Sequence, residues 1–324
     1  MQSMLPIVIP QLSRPIAYTD NILLIGSCFT EHISDRLQQH KFNVLPNQHG
    51  ILFNPLSVAM SLNSYIDEKQ YDPSDLFFLN ELWNSWDHHT RFSDINKNIA
   101  LAGINRSQAD AAKFIKEADW VIITLGSSFQ YYLLETGMPV ANNHRAPAQW
   151  FEKRLLSIES ITEALTVSLN KLFTASPTCN VLFTISPVRH IRDGVTENNR
   201  SKARLVEAVH TICEKNDRVY YFPAYELLID VLRDYRYYDI DLVHPNYAAT
   251  SHVWERFIQS CIAPSAHKIM QEVQEVMTAR AHRPRFPQTE AHRKFKKGYA
   301  ERVAVLMKTY PFLDLKSELN YFSE

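Results

Sequence analysis

Two short segments, far apart in the chain, hold residue types that together have the means to cleave an ester. Near the start, the apolar run Ile22-Leu23-Leu24-Ile25 closes at Gly26 and is followed by Ser27 and Cys28. Near the other end, Asp241-Leu242-Val243-His244-Pro245 sets a carboxylate three residues before an imidazole. A serine hydroxyl attacks well only when a base removes its proton, and a histidine serves as that base when a carboxylate fixes its tautomer. Asp241 and His244 are close enough along the chain to form that pair, and Pro245 biases His244 away from helical angles, onto a loop.

The surroundings of Ser27 fit the same chemistry. Phe29, Ile33 and Leu37 recur at the four-residue spacing of a helix face, so Ser27 is expected at a helix start. There, unpaired backbone N–H groups and the positive end of the helix dipole favour negative charge, which makes the N–H of Ser27 itself a candidate donor to an oxyanion. Cys28 is the rival nucleophile. Neighbouring helical side chains point about 100° apart, so only one of the two faces a site, and Ser27 is the expected one.

Gly26-Ser27-Cys28-Phe29 after a strand resembles the signature of the GSCFA family, which is similar to the SGNH (GDSL-like) esterases and lipases. The resemblance spans roughly residues 20 to 260. It implies a serine nucleophile in the first block, here Ser27, and an Asp-x-x-His in the last, here Asp241 and His244. Gln48-His49-Gly50-Ile51-Leu52-Phe53-Asn54-Pro55 is similar to the second block, which makes Gly50 the implied oxyanion glycine. Thr124-Leu125-Gly126-Ser127-Ser128-Phe129 resembles the third block but lacks the asparagine that SGNH enzymes carry. Either Ser127 or Ser128 donates instead, or Asn54 does, or the oxyanion hole is weaker, at a cost of ~10²- to 10³-fold in turnover.

These residues need a frame that brings chain ends together. Apolar runs rich in β-branched residues at 22–25, 121–125, 181–185 and 219–222 read as buried parallel strands, with 42–45 as a fifth. Helical patterns at 107–119, 157–173, 198–214, 225–233 and 247–262 alternate with them. The expectation is a three-layer α/β/α sandwich with a mostly parallel sheet, of the SGNH or flavodoxin-like type, binding ligands at the C-terminal strand ends. Three of only seven glycines, Gly26, Gly50 and Gly126, fall in the site segments. The domain expected is 1–262, followed by a helical C-terminal extension over 263–324 with helices at 266–281 and 289–308.

Two insertions, near 63–106 and 136–152, show no clear helix or strand pattern and are expected to wall or cover the crevice. They bring Trp86, His88 and His89 forward as substrate-pocket residues. Arg189 and His190, just past a strand end in Ser186-Pro187-Val188-Arg189-His190, join them. This stretch and Glu197-Asn198-Asn199-Arg200-Ser201-Lys202 resemble further GSCFA sequence. Asp87-His88-His89 invites a metal reading, but adjacent histidines point apart on helix or strand, so no metal is expected.

Composition sets outer bounds. A net charge of -1 gives no global basic excess for nucleic acid, and the basic residues between Arg280 and Lys297 read as a solvated surface. Cys28, Cys179, Cys213 and Cys261 are widely spaced, which argues against a zinc site or a disulfide framework. Pro6 and Pro10 interrupt the N-terminus, and no run reaches the ~18 to 20 apolar residues of a membrane span, so a cytoplasmic protein is expected. The functional expectation is an SGNH-like esterase that removes acetyl or short acyl groups from a small-molecule or glycan ester without a cofactor. An O-acyltransferase on the same triad and a non-catalytic carbohydrate- or protein-binding module are the alternatives. Contact between C-terminal helices of two copies is the expected route to a homo-oligomer.

Overall fold

The computed structural model describes residues 5–324, so the first four residues of the N-terminal segment lie outside it. The first half of the chain runs β1 (Asn21–Gly26), α1 (Cys28–Gln39), β2 (Asn43–Pro46), α2 (Pro55–Ile66), β3 (Phe77–Leu79), β4 (Leu82–Asn84), α3 (Lys97–Ile115) and β5 (Trp120–Leu125). It continues as β6 (Phe129–Leu133), β7 (Pro139–Val140), β8 (Phe151–Leu155), α4 (Ile158–Ala175), β9 (Asn180–Ile185), α5 (Val195–Cys213) and β10 (Val219–Phe222). After a short α6 (Ala224–Glu226) that runs into a π-helical turn, the chain ends as α7 (Tyr247–Cys261), α8 (Pro264–Ala281), α9 (Glu290–Thr309) and α10 (Lys316–Ser323).

The central sheet has the order β10-β9-β5-β1-β2, with every pairing parallel. Helices cover both faces, so this is the three-layer α/β sandwich expected. Alternation along the strands sorts the core into two. Ile22, Leu24, Trp120, Ile122 and Leu182 face α1, α7 and the C-terminal helices. Leu23, Ile25, Val121, Ile123, Val181 and Phe183 face α2, α4 and α5. Strands buried on both sides read as continuous apolar runs, which is why the sequence displays them plainly. The order reverses between β1 and β5, and in such sheets the crevice beyond the carboxyl ends at that point is where ligands bind.

Gly26 is fixed by this geometry. Its φ is 151°, and a Cβ there would stand 2.3 Å from the Thr124 carbonyl oxygen of β5. Only a glycine lets β1 end this close to its neighbour while its N–H donates to the Asn47 side chain at 2.9 Å.

Several local expectations change. The 63–106 insertion is largely regular: it holds the end of α2, the β3-β4 hairpin and the first half of α3. Helix α3 starts ten residues before the expected 107, because Asn96 caps it by accepting from the N–H groups of Asn98 and Ile99. Helix α2 has no clear apolar stripe in sequence because Ser57, Ser61 and Ser64 interrupt it. Two of these hydroxyls donate within the helix, Ser61 to Val58 O and Ser64 to Ser61 O, and so are satisfied in the core. The 136–152 insertion contains β7 and the start of β8, which pair antiparallel on either side of β6.

The C-terminal helices share the first core: Val273, Val276, Val303, Leu306 and Phe322 join the cluster of Ile22 and Trp120. Glu318 on α10 is fully buried and accepts from Lys41 at 2.9 Å and from Arg280, which ties the last helix to the turn after α1 and to α8.

Candidate active site

Ser27 stands between β1 and α1 as the helix cap. Its backbone is extended, its Oγ accepts from Phe29 N–H at 3.3 Å, and its carbonyl accepts from Thr30 N–H at 2.9 Å. It is buried at the carboxyl end of β1. Cys28 follows as the first helical residue and is partly exposed. Burial raises its thiol pKa, with Glu31 adding to the effect, which opposes the thiolate a cysteine nucleophile needs.

Asp241 and His244 form the expected pair. Asp241 Oδ2 accepts from the ring Nδ1 of His244 at 2.6 Å, and its Oδ1 accepts from the N–H groups of Val243 and His244 at 2.9 and 3.0 Å. The turn closes this tightly because Leu242 takes a left-handed φ of 60°. Those hydrogen bonds, led by the one from the His244 N–H, hold the Asp241 carboxyl down at about 2. With Nδ1–H committed to the carboxylate, Nε2 is left as the basic nitrogen. The loop is moored from two sides, by a bridge between Tyr238 and Pro245 and by Arg189 N–H donating to Val243 O at 3.3 Å.

The last block thus comes to the same end of the sheet as the first. After burial, the charge of His244 is among the influences that lower the pKa of His32 on α1 and of His190 beyond β9. Ser27 Oγ makes no hydrogen bond to the His244 ring; its bond to Phe29 N–H takes its place.

Each of the expected oxyanion donors already makes a hydrogen bond elsewhere. Ser27 N–H donates to Thr124 O at 3.1 Å, Gly50 N–H to Asn47 O at 2.7 Å and Ser127 N–H to Phe53 O at 3.0 Å. Ser128 N–H donates to Ser201 Oγ at 2.7 Å, and the Asn54 amide donates to Ser57 Oγ at 2.9 Å. Asn54 and Ser127 do line a cavity of about 360 Å³ beside the strand ends, together with Phe53, Phe129, Tyr131, Asn142, Asn143, Lys153, Asp193 and His190.

His190 lines this cavity. Its ring packs on Phe53, and its buried Nε2 has no hydrogen-bond partner. A Cβ at Gly126 would stand 3.1 Å from that nitrogen, so the glycine makes room for the imidazole. Burial first, then the charge of Lys202, pushes the His190 pKa down to about 4.

The other pocket residues read from the sequence lie apart from this cavity. Trp86 stacks on Phe77 with ring centres 3.6 Å apart and meets Phe151 edge-on, so its ring anchors the insertion. His88 is buried against His49, at 4.2 Å between ring centres, with its Nδ1 on Ser85 Oγ. His89 packs its Cβ against Gly50. Arg189 turns to a neighbouring cleft, where it donates to Tyr235 Oη at 3.0 Å and lies over the Tyr238 ring. Among the described residues no three His, Cys, Asp or Glu side chains cluster to hold a metal ion. No helix among them is long and apolar enough to cross a membrane.

The profile of the GSCFA family matches residues 21–257, which takes in both Ser27 and the Asp241–His244 loop. The chain belongs to the GSCFA family. A second profile, described as the C-terminal domain of GSCFA domain proteins, matches residues 273–324. No curated protein matches the chain. Among solved structures, it is similar to an acetyl xylan esterase from the rumen bacterium Butyrivibrio proteoclasticus, with 11% identity and a TM-score of 0.38. That alignment covers 76% of this chain and 64% of the other.

Within the GSCFA fold, Lys153 and Asp193 pair on the cavity wall, and Asn198, Ser201 and Lys202 are buried on α5. The first two carry no motif. The last three lie in a stretch whose family likeness was the available signal.

Proposed function

We propose that this GSCFA protein is a serine hydrolase of oxygen esters that removes acetyl or other short acyl groups. Ser27 Oγ attacks the ester carbonyl, and His244 Nε2 takes the hydroxyl proton and returns it to the departing alcohol. Asp241 holds the imidazole in the Nδ1–H tautomer and offsets the positive charge it gains. Water then repeats the sequence on the acyl-serine and releases the acid. For this, the Ser27 hydroxyl turns away from Phe29 N–H toward the His244 ring. Asn54 and Ser127, on the cavity wall, exchange a neutral hydrogen bond for one to the oxyanion. Each step uses only side chains and water, so the reaction so written needs no cofactor.

The observation that carries this reading is the 2.6 Å bond from His244 Nδ1 to Asp241, which commits Nδ1 and leaves Nε2 as the nitrogen able to take a proton. The mixed aromatic and amide lining of the cavity suits a small or glycan ester. The test is p-nitrophenyl acetate turnover by the wild type and by Ser27→Ala and His244→Ala. Turnover lost in both variants is expected; turnover retained in Ser27→Ala removes the reading.

The prior commitment of every expected oxyanion donor favours one second reading, a binding module that keeps the fold without turnover. That reading prevails if the wild type leaves aryl esters intact while binding glycans on an array.

A further inference from the structure

Three polar residues at helical spacing on α5, Asn198, Ser201 and Lys202, are each almost completely buried. Between them they hold the two loops that follow β5 and β9. Asn198 Oδ1 accepts from His190 N–H at 2.8 Å, and Ser201 Oγ accepts from Ser128 N–H at 2.7 Å while Ser128 Oγ donates back to Ser201 O at 3.0 Å. Lys202 Nζ donates to Ser186 O at 2.6 Å, at the end of β9. One helix face thus sets the relative positions of the loops that follow β5 and β9.

Asn198 and Ser201 suffice as neutral clamps, but Lys202 is costlier. An ammonium group buried with one carbonyl acceptor, the Tyr225 ring 5.7 Å away and no ion pair among the described residues loses most of its hydration without a compensating anion. A neutral donor would hold Ser186 O more cheaply, so the charge itself calls for a role. After burial, its charge is among the influences on Cys28, beside Ser27, and on His190, in the cavity.

We propose that Lys202 is a positioning residue of the hydrolytic site, fixing the Ser186 end of β9 and supplying buried positive charge to the floor of that site. The inference rests on the hydrolase reading. Negative charge that develops on the reacting carbonyl forms over this floor, and a fixed cation in a dry setting favours it. Burial does most to keep the His190 ring uncharged, and the same charge adds to it, together with His244 and Lys153 and against Asp193. Burial brings Lys202 itself down to about 7, with Cys28 acting in the opposite direction, so the floor loses its charge as pH rises through neutrality.

The test is Lys202→Gln in the full-length protein, which keeps an N–H donor and removes the charge, with Lys202→Met as a second, apolar variant. In the folded variant, kcat on p-nitrophenyl acetate is expected to fall at least ~10-fold with KM within about twofold. The alkaline decline of kcat near pH 7 is expected to vanish, and the NMR titration midpoint of His190 to rise by ~0.5 units or more. A purely structural lysine moves neither the pH profile nor His190. Wild-type kcat, pH profile and His190 midpoint in both variants would overturn the role of Lys202 alone. A wild type without ester turnover would instead overturn the hydrolase reading and the positioning claim with it.

Discussion

Asp241 grips His244 through both backbone and ring, with one carboxylate oxygen on the main-chain N–H and the other on Nδ1. Asp241→Asn keeps an oxygen for the backbone but is free to turn its amide toward the ring, which favours the wrong tautomer. The expected result is a kcat loss of at least ~10²-fold with the thermal midpoint essentially unchanged. Activity within threefold of wild type would mean that the pair does not orient a base.

Two glycines test backbone demand in opposite directions. Gly26→Ala sets a methyl group 2.3 Å from Thr124 O at a φ of 151°. Backbone cannot yield cheaply there, so a loss of at least ~3 kcal/mol in urea unfolding is expected. Gly103→Ala, inside α3 with nothing within 4 Å of the added carbon, is expected to gain about 0.5–1 kcal/mol. Equal effects would show that the close approach of β1 to β5 is not a constraint.

Acid should unfold the protein partly through His49 and His88. His49 is buried with Nδ1 on Tyr65 Oη at 2.8 Å and Nε2 on Tyr71 Oη at 3.1 Å, and burial brings it down to about 3. Burial likewise holds His88 well below the usual histidine range. Because these folded-state values lie below the unfolded one, the unfolded chain binds more protons at acid pH. Their stabilisation is complete above about pH 6.5 and drains as pH falls from there, by up to about 1.4 kcal/mol per unit for each histidine, with His49 contributing down to about 3. Unfolding free energy measured from pH 7 to 4.5 should fall more steeply in wild type than in His49→Gln. Parallel slopes would refute the buried-histidine account.

The last helix is held by a buried carboxylate. Glu318→Gln removes the charge that Lys41 and Arg280 both meet, and since those two partners are partly exposed the expected loss is about 2–3 kcal/mol. Urea unfolding measures it, and an unchanged midpoint would mean that α10 adds little to the core.

The fold was legible where burial on both faces wrote itself as unbroken apolar runs, as in β1, β5 and β9. It was illegible where polar groups are satisfied inside the core, as with the serines of α2, or where strands are too short to show a period, as in β7. Asp241 and His244 were readable because their partnership is local. Lys202 was not, because its burial and its single acceptor on Ser186 depend on how α5 lies across two strand ends. Trp86 and His88 drew attention by residue type, yet packing against Phe77 and His49 accounts for both.

Labelling with a fluorophosphonate, mapped by mass spectrometry, tests the central claim most directly, because the probe reacts only with a serine whose proton a neighbouring base can take. The account predicts one adduct on Ser27, absent from Ser27→Ala and strongly slowed in His244→Ala. An adduct on another serine, or none at all on the folded wild-type protein, would contradict it.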